Sequence, residues 1–351
     1  MIPNPLTSHS ILDCHEWTPH SLEQLFDICN VLKEQPPYCP FATNKILVNV
    51  FFEPSTRTSM SFESAMYRLN GNVMTFYPST SSIKKGENDM DTIDTLVHYG
   101  DAIVLRHPKK EFIQNVVKKY PNVPIINGGN GDGDHPTQAL VDLYTLYKTY
   151  GNDLKKKRIL FVGDVRHSRT IHSFVSLLNL YPETKLYFYP YYGCEPDTTY
   201  MEAIAEIHNQ SLDDVIISNI YPEYKNYDVV YITREQKERH VNTTTQENHY
   251  CFTNLEANKL PEDAIIMHPL PRNRELHEEV DTNPRACYMK QVEYSVILRM
   301  ALLECVFQKK KENTTYKKEE SETLYRFKEL IDLLYIKIMF VVSILTTLME
   351  N

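Results

Sequence analysis

Short polar clusters stand directly after runs of β-branched and aromatic residues in this 351-residue chain, and their side chains suit anions and carbonyl groups. Ser55-Thr56-Arg57-Thr58 follows the apolar run Ile46 to Phe52 and opens a segment of helical period. Backbone N–H groups at a helix start, three hydroxyls and a guanidinium fork together make a site for a phosphate dianion. The bland alternative is a Ser55 cap with a solvated Arg57, but an arginine between two threonines at a strand end favours the anion site. Arg106 and His107 follow the run 102–105, and Gly128-Gly129-Asn130-Gly131-Asp132-Gly133-Asp134-His135-Pro136-Thr137-Gln138 follows the run 123–126. Four glycines there allow close backbone approach to a ligand, and Pro136 opens a helix with His135 and Gln138 at its N-terminal end. The positive end of that helix favours a neutral imidazole, which can donate one hydrogen bond to a carbonyl oxygen.

A second group of strand ends carries arginines. Gly163-Asp164-Val165-Arg166-His167-Ser168-Arg169 begins like a dinucleotide loop yet lacks its second and third glycines. Thr233-Arg234-Glu235-Gln236 and His268-Pro269-Leu270-Pro271-Arg272 end two further apolar runs. Walker, Gly-x-Ser-x-Gly and His-Glu-x-x-His patterns are missing from the sequence, so nucleotide hydrolysis, acyl-serine chemistry and zinc proteolysis have no support. Calcium is rejected as well, because the acidic loop at 130–134 lacks the glycine and the closing glutamate of a calcium loop, with Val141 where the latter belongs. One site thus suits phosphate plus a polarisable carbonyl, and the other offers arginines to carboxylates. A reaction between a small phosphorylated carbonyl compound and a small carboxylic acid follows.

These residues need elements to hold them. Apolar runs at 46–52, 73–76, 102–105 and 123–126 alternate with helical segments carrying Phe62, Ala65, Met66 and Leu69, then Leu140, Leu143, Tyr144 and Tyr147. A second series has strands at 159–162, 186–189, 215–217, 229–232 and 264–267, followed by a closing helix from Val292 to Phe307. The pattern predicts two α/β domains in tandem, each a doubly wound parallel sheet, with a boundary near residue 150 and the site in the cleft between them. Lys plus Arg number 37 against 46 Asp plus Glu, a net charge of -9, so neither a basic balance nor a basic stripe points to nucleic acid. Seven scattered cysteines without a Cys-x-x-Cys pair read as free thiols in the cytoplasm, and Met1 to Trp17 lacks the form of a secretory signal. Gln308 to Lys328 is strongly polar, and the apolar run Ile338 to Met349 falls short of the roughly 20 residues a membrane span needs. That run reads as an amphipathic or partner-binding helix, with a tail anchor as the alternative.

Several of the motifs resemble one family closely. Phe52-Glu53-Pro54-Ser55-Thr56-Arg57-Thr58 with Ser61-Phe62-Glu63, and His135-Pro136-Thr137-Gln138, are similar to the aspartate and ornithine carbamoyltransferases. Ser81-Ser82-Ile83-Lys84-Lys85-Gly86-Glu87, Met267-His268-Pro269-Leu270-Pro271-Arg272 and the string from Thr233 to Arg239 resemble the aspartate members. The similarity spans roughly residues 5–307. It implies a carbamoyl-phosphate domain at 1–150, an aspartate domain at 151–291, a helix at 292–307 packing back on the first domain, and an extra tail at 308–351. It also implies cofactor-free, metal-free carbamoyl transfer from carbamoyl phosphate to L-aspartate in pyrimidine synthesis, by a homotrimer with shared sites.

The roles it implies are assigned residue by residue. Ser55, Thr56, Arg57, Thr58 and Arg106 hold the phosphate, and Arg57 neutralises the leaving group. Thr58, Arg106 and His135 polarise the carbonyl, while Gln138 and the carbonyls of Pro269 and Leu270 receive the carbamoyl NH2. Arg169, Arg234, Gln236 and Lys85 bind the aspartate carboxylates, with Ser81 and Lys85 supplied by the neighbouring subunit. Glu53 pairs with Arg169 and Arg239 to hold the closed form. Ser59, Asn130, Asn273-Arg274 and Tyr294-Ser295 depart from the usual family residues. A carbamoyltransferase for another amino acid such as ornithine is the nearest competing reading. A catalytically silent binding subunit, suggested by the apolar tail alone, is the competitor from another class.

Overall fold

Strand and helix alternate from the first apolar run onward. The computed structural model describes residues 4–6, 10–34, 40–216, 222–236 and 250–308. Helix α1 (Pro19–Glu34) precedes β1 (Ile46–Phe51), α2 (Thr56–Arg68), β2 (Asn72–Phe76), α3 (Asp89–Leu96), β3 (Ala102–His107), α4 (Lys110–Lys119), β4 (Ile125–Asn130) and α5 (Pro136–Tyr150). The second series runs β5 (Arg158–Gly163), α6 (Arg169–Leu178), β6 (Lys185–Pro190), α7 (Thr198–Ile207), α8 (Leu212–Val215), β7 (Val229–Ile232), α9 (Asn254–Ala257), β8 (Ile265–Met267) and α10 (Tyr288–Phe307).

The strands form two four-stranded sheets, ordered β2-β1-β3-β4 and β6-β5-β7-β8, and every pairing is parallel. This is the doubly wound α/β architecture expected from the alternation. In each sheet the order reverses beside its first strand, which opens a crevice at the carboxyl ends of β1 and β3 and again at β5 and β7. Side chains alternate between faces along every strand. Leu47, Val104, Ile159, Phe161, Val229 and Tyr231 join one core that spans both sheets. Val48, Val50, Ile103 and Leu105 face a second core with Ile113 and Val116 of α4, while Leu160, Val162, Val230 and Ile232 face a third. The shared core, with α5 against α6 and α10 against α1, α2 and α5, couples the two sheets mechanically.

Several elements differ from the sequence expectation. Val215 closes the short helix α8, and Ile216 makes an isolated parallel bridge to Phe188, so a strand at 215–217 is not formed among the described residues. The reason is local: the Ser211 side chain accepts from Asp214 N and two acidic residues stand in the first turn, which favours a helix start. Strand β3 extends through Arg106 and His107, and β4 takes in Gly128, Gly129 and Asn130, with a register irregularity between Leu105 and His107. Two polar groups expected in loops therefore sit on the sheet itself. Helix α10 begins at Tyr288, one turn before the expected start. The six described cysteines are unpaired. Among the described residues no helix is long and apolar enough to cross a membrane, and the run from Ile338 to Met349 lies outside them.

Candidate active site

The turn after β1 delivers the first cluster. Ser55 occupies the cap position of α2, yet its side chain makes no cap hydrogen bond, which leaves the hydroxyl beside the N–H groups of the first helical turn. Thr58 is buried, and its Oγ1 lies 3.4 Å from Nε2 of His135, which holds the corresponding cap position of α5. The backbone N–H of His135 donates to Ser173 Oγ at 3.0 Å, so a residue of α6 in the second series fixes the start of α5. Burial first, then the charges of Arg169, Arg106 and Arg299, push the His135 pKa well below that of free histidine. Desolvation and the neighbouring arginines favour a neutral imidazole, in the same sense as the positive end of α5. His135 Nδ1 is buried and makes no hydrogen bond among the described residues.

Two arginines converge on the glycine strand. Arg106 Nη1 donates to Gly128 O at 3.4 Å, and Arg169 Nη1 donates to Gly131 O at 2.6 Å. Gly129, at φ +120°, lies between them: a Cβ there would come within 3.1 Å of Arg106 Nη1 and 3.3 Å of Arg169 Cζ. Only glycine fits that backbone conformation and that approach without strain. Glu53 Oε2 lies 3.3 Å from Arg106 Nε and 3.9 Å from Arg169 Nη1, joining the first crevice to the start of α6. Arg239, the other expected partner of Glu53, lies outside the described residues.

The facing wall carries Arg234 and Gln236 just after β7. Gln236 N donates to the fully buried Asp164 Oδ2 at 2.9 Å, and the other oxygen of Asp164 accepts from His167 N at 3.0 Å. The carboxylate after β5 therefore holds the segment after β7. Asp164, His167 and Cys194 are grouped closely enough to suggest metal ligands, with ligand atoms within 4.8 Å of one another. The His167 Nδ1 contact to Asp164 at 2.9 Å and the Gln236 bond account for the grouping without an ion. Partial burial, and after it the charge of Arg234, lower the Arg57 pKa.

The segment after β8 closes the site. His268 is buried; its Nδ1 accepts from Leu270 N at 2.8 Å, which makes Nε2 the protonated nitrogen facing Glu275 at 2.9 Å. Asn273 N donates to the same Glu275 oxygen at 2.9 Å, so that departure from the family pattern is accommodated through its backbone. Leu270 adopts φ +55°, a left-handed conformation that costs a non-glycine residue on the order of 1 kcal/mol and is concentrated at functional turns. A cavity of about 270 Å³ is walled in part by Thr56, Arg57, Gln138, His268 and Pro269, bringing the turn after β1 to the β8 segment. Thr58 with His135, and Arg106 with Arg169 on Gly129, are not among its walls.

Lys85 and Ser81 are not brought to this cavity within one chain. Lys85 is exposed at the end of a short 3-10 helix, and Ser81 caps that helix by accepting from Ile83 N. Residues that sequence reasoning missed lie beneath the site. Asp142 is fully buried and accepts from Gln138, Gln291 and Tyr231. Burial raises its pKa to about 7 against those hydrogen bonds and the charge of Arg299, whose own pKa falls to about 10. The spacing of Gln138 and Asp142 on one helix face was a readable sign; Tyr231 and Gln291, far away in the chain, gave none.

Known proteins show the same organisation. Residues 9–148 match the family model described as the carbamoyl-P binding domain of aspartate/ornithine carbamoyltransferase, and residues 155–306 match its Asp/Orn binding domain. The aspartate carbamoyltransferase catalytic subunit of Alkaliphilus oremlandii is 37% identical over 85% of this chain and 91% of its own length. The multifunctional protein ura1 of Schizosaccharomyces pombe is 39% identical over 86% of this chain, which spans only 14% of that protein. Crystal structures of aspartate transcarbamoylase from Trypanosoma cruzi superpose with a TM-score of 0.77 in complex with aspartate and phosphate and 0.78 with carbamoyl phosphate, at 32% and 30% identity. Each covers 87% of this chain, and this chain covers 97% and 98% of theirs.

Proposed function

The chain belongs to the aspartate/ornithine carbamoyltransferase family, and on that premise we propose that it transfers the carbamoyl group of carbamoyl phosphate to the amine of L-aspartate. The products are N-carbamoyl-L-aspartate and phosphate, as in de novo pyrimidine synthesis. The observation that carries this reading is the approach of Arg106 and Arg169 to Gly129, both facing Glu53, together with a buried His135 held 3.4 Å from Thr58.

Each step is electrostatic or positional. The amine nitrogen attacks the carbamoyl carbon, the C–O bond to phosphate breaks, and one amine proton is released. Ser55, Thr56, Arg57, Thr58 and Arg106 hold the dianion, and Arg57 offsets charge on the departing phosphate. Thr58, Arg106 and His135 donate to the carbonyl oxygen as negative charge builds there. Gln138 and the carbonyls of Pro269 and Leu270 accept from the NH2 group. Arg169, Arg234 and Gln236 take the aspartate carboxylates. Holding two reactants in register supplies roughly 7 to 11 kcal/mol of barrier reduction, so neither a covalent intermediate nor a cofactor is needed.

We further propose a homotrimer in the cytoplasm, in which Ser81 and Lys85 complete a neighbour's site. Their position away from this chain's own cavity and the exposed Met60, Tyr67, Met74 and Tyr77 around α2 and β2 support an interface there. On this reading residues 1–150 bind carbamoyl phosphate, 151–291 bind aspartate, and 292–307 pack back on the first part, with 308–351 appended. Glu53 with Arg169 holds the closed arrangement. The test is phosphate release from carbamoyl phosphate offered with aspartate, ornithine and other amines, alongside the native mass. Release with aspartate from a trimer is expected; release with ornithine alone overturns the acceptor assignment.

A further inference from the structure

Gln138 presents an amide to the cleft, and an amide can turn either end toward a ligand. A carbamoyl NH2 needs an acceptor, so the useful orientation shows it oxygen. Gln138 Nε2 donates to Asp142 Oδ1 at 2.8 Å, and above its raised pKa of about 7 this carboxylate is ionised and accepts only. That pairing commits the NH2 end inward and leaves Oε1 as the free end.

The same oxygen of Asp142 accepts from Gln291 Nε2 at 2.9 Å, and Gln291 Oε1 accepts from His268 N at 2.9 Å. A backbone N–H cannot act as an acceptor, so this second amide is also locked in one sense. The peptide it grips leads directly into Pro269 and Leu270. Asp142 Oδ2 accepts from Tyr231 OH at 2.8 Å, an arm that reaches neither Gln138 nor His268. Asp142 and Gln291 are both buried, so the network has no bulk water to substitute for a lost partner.

We propose that Asp142 is a positioning residue that sets the recognition of carbamoyl phosphate over other acyl phosphates, by orienting Gln138 directly and the Pro269-Leu270 segment through Gln291. The inference rests on the reading that these groups receive the carbamoyl NH2. Phosphate contacts at Ser55, Thr56, Arg57 and Thr58 lie outside the network, which makes the two roles separable.

The experiment measures dissociation constants of the full-length chain for carbamoyl phosphate, acetyl phosphate and inorganic phosphate. Acetyl phosphate replaces the NH2 by a methyl group and lacks the donors. The unmodified chain prefers carbamoyl to acetyl phosphate. Asp142→Ala narrows that preference about tenfold, with acetyl phosphate and inorganic phosphate bound within about twofold of before. Asp142→Asn retains one acceptor oxygen and restores part of the preference. Gln291→Met, which breaks only the His268 arm, narrows it less than Asp142→Ala does. Tyr231→Phe leaves it unchanged. If Asp142→Ala does not fold, Asp142→Asn and Gln291→Met decide the matter on their own. An unchanged preference in those variants, equal weakening of all three ligands, or a Tyr231→Phe effect as large as that of Asp142→Ala overturns the proposal. A failure of the unmodified chain to bind carbamoyl phosphate overturns instead the reading on which it rests.

Discussion

Glu53 Oε2 stands 3.3 Å from Nε of Arg106, so a carboxylate at the end of one strand shields a guanidinium at the end of its neighbour. The same oxygen lies 3.9 Å from Arg169 Nη1. One carboxylate therefore faces two cations of the proposed site. Glu53→Gln removes that charge while keeping the shape. Inorganic phosphate should bind several-fold more tightly because the local field becomes more positive. Turnover should fall about tenfold because both arginines lose their anchor. Phosphate inhibition constants and kcat measured together check this; unchanged turnover removes the positioning role.

Arg57 is exposed and lies on the first turn of α2, so its truncation should leave the melting temperature within a few degrees of the parent. Its proposed task is charge on the departing phosphate. Arg57→Ala should therefore lower kcat by about 10² to 10³, the usual effect of deleting one transition-state donor. Turnover near that of the parent chain would eliminate the assigned role.

His135 has its pKa lowered by burial and by Arg169, Arg106 and Arg299. Its folded-state pKa lies below the unfolded value of about 6.5, so protonation favours the unfolded chain. The neutral form's contribution to stability is complete above about pH 6.5 and is lost as the pH falls below it. The imidazole NMR signals of His135 should show a neutral ring at pH 6.5 and above. Protonation near pH 7 would contradict the neutral donor.

Shared sites predict complementation. Lys85→Ala and Arg57→Ala chains are each expected to be nearly inactive. Dissociating and reassembling them together should restore measurable turnover, because a mixed assembly contains sites made of one intact Arg57 and a neighbour's intact Lys85. No recovery in verified mixed oligomers would argue for sites built from one chain.

Much of this protein could be read from the order of its residues. Short continuous apolar runs alternating with segments of helical spacing dictated the α/β alternation, since a strand covered on both faces and a helix covered on one must each find a buried partner. Strand-end placement singled out Ser55 to Thr58, Arg106, His135, Arg169 and Arg234, because parallel sheets offer ligands their carboxyl ends. What only the folded chain decided is the support beneath those groups. Nothing local marks Tyr231 or Gln291 as partners of Asp142, which lie 89 and 149 residues away, or Asp164 as the holder of Gln236, 72 residues on. Short-range pattern reports which face a side chain takes. Which distant polar groups must share one buried site is settled by packing two sheets on a common core, where every donor removed from water has to find its acceptor.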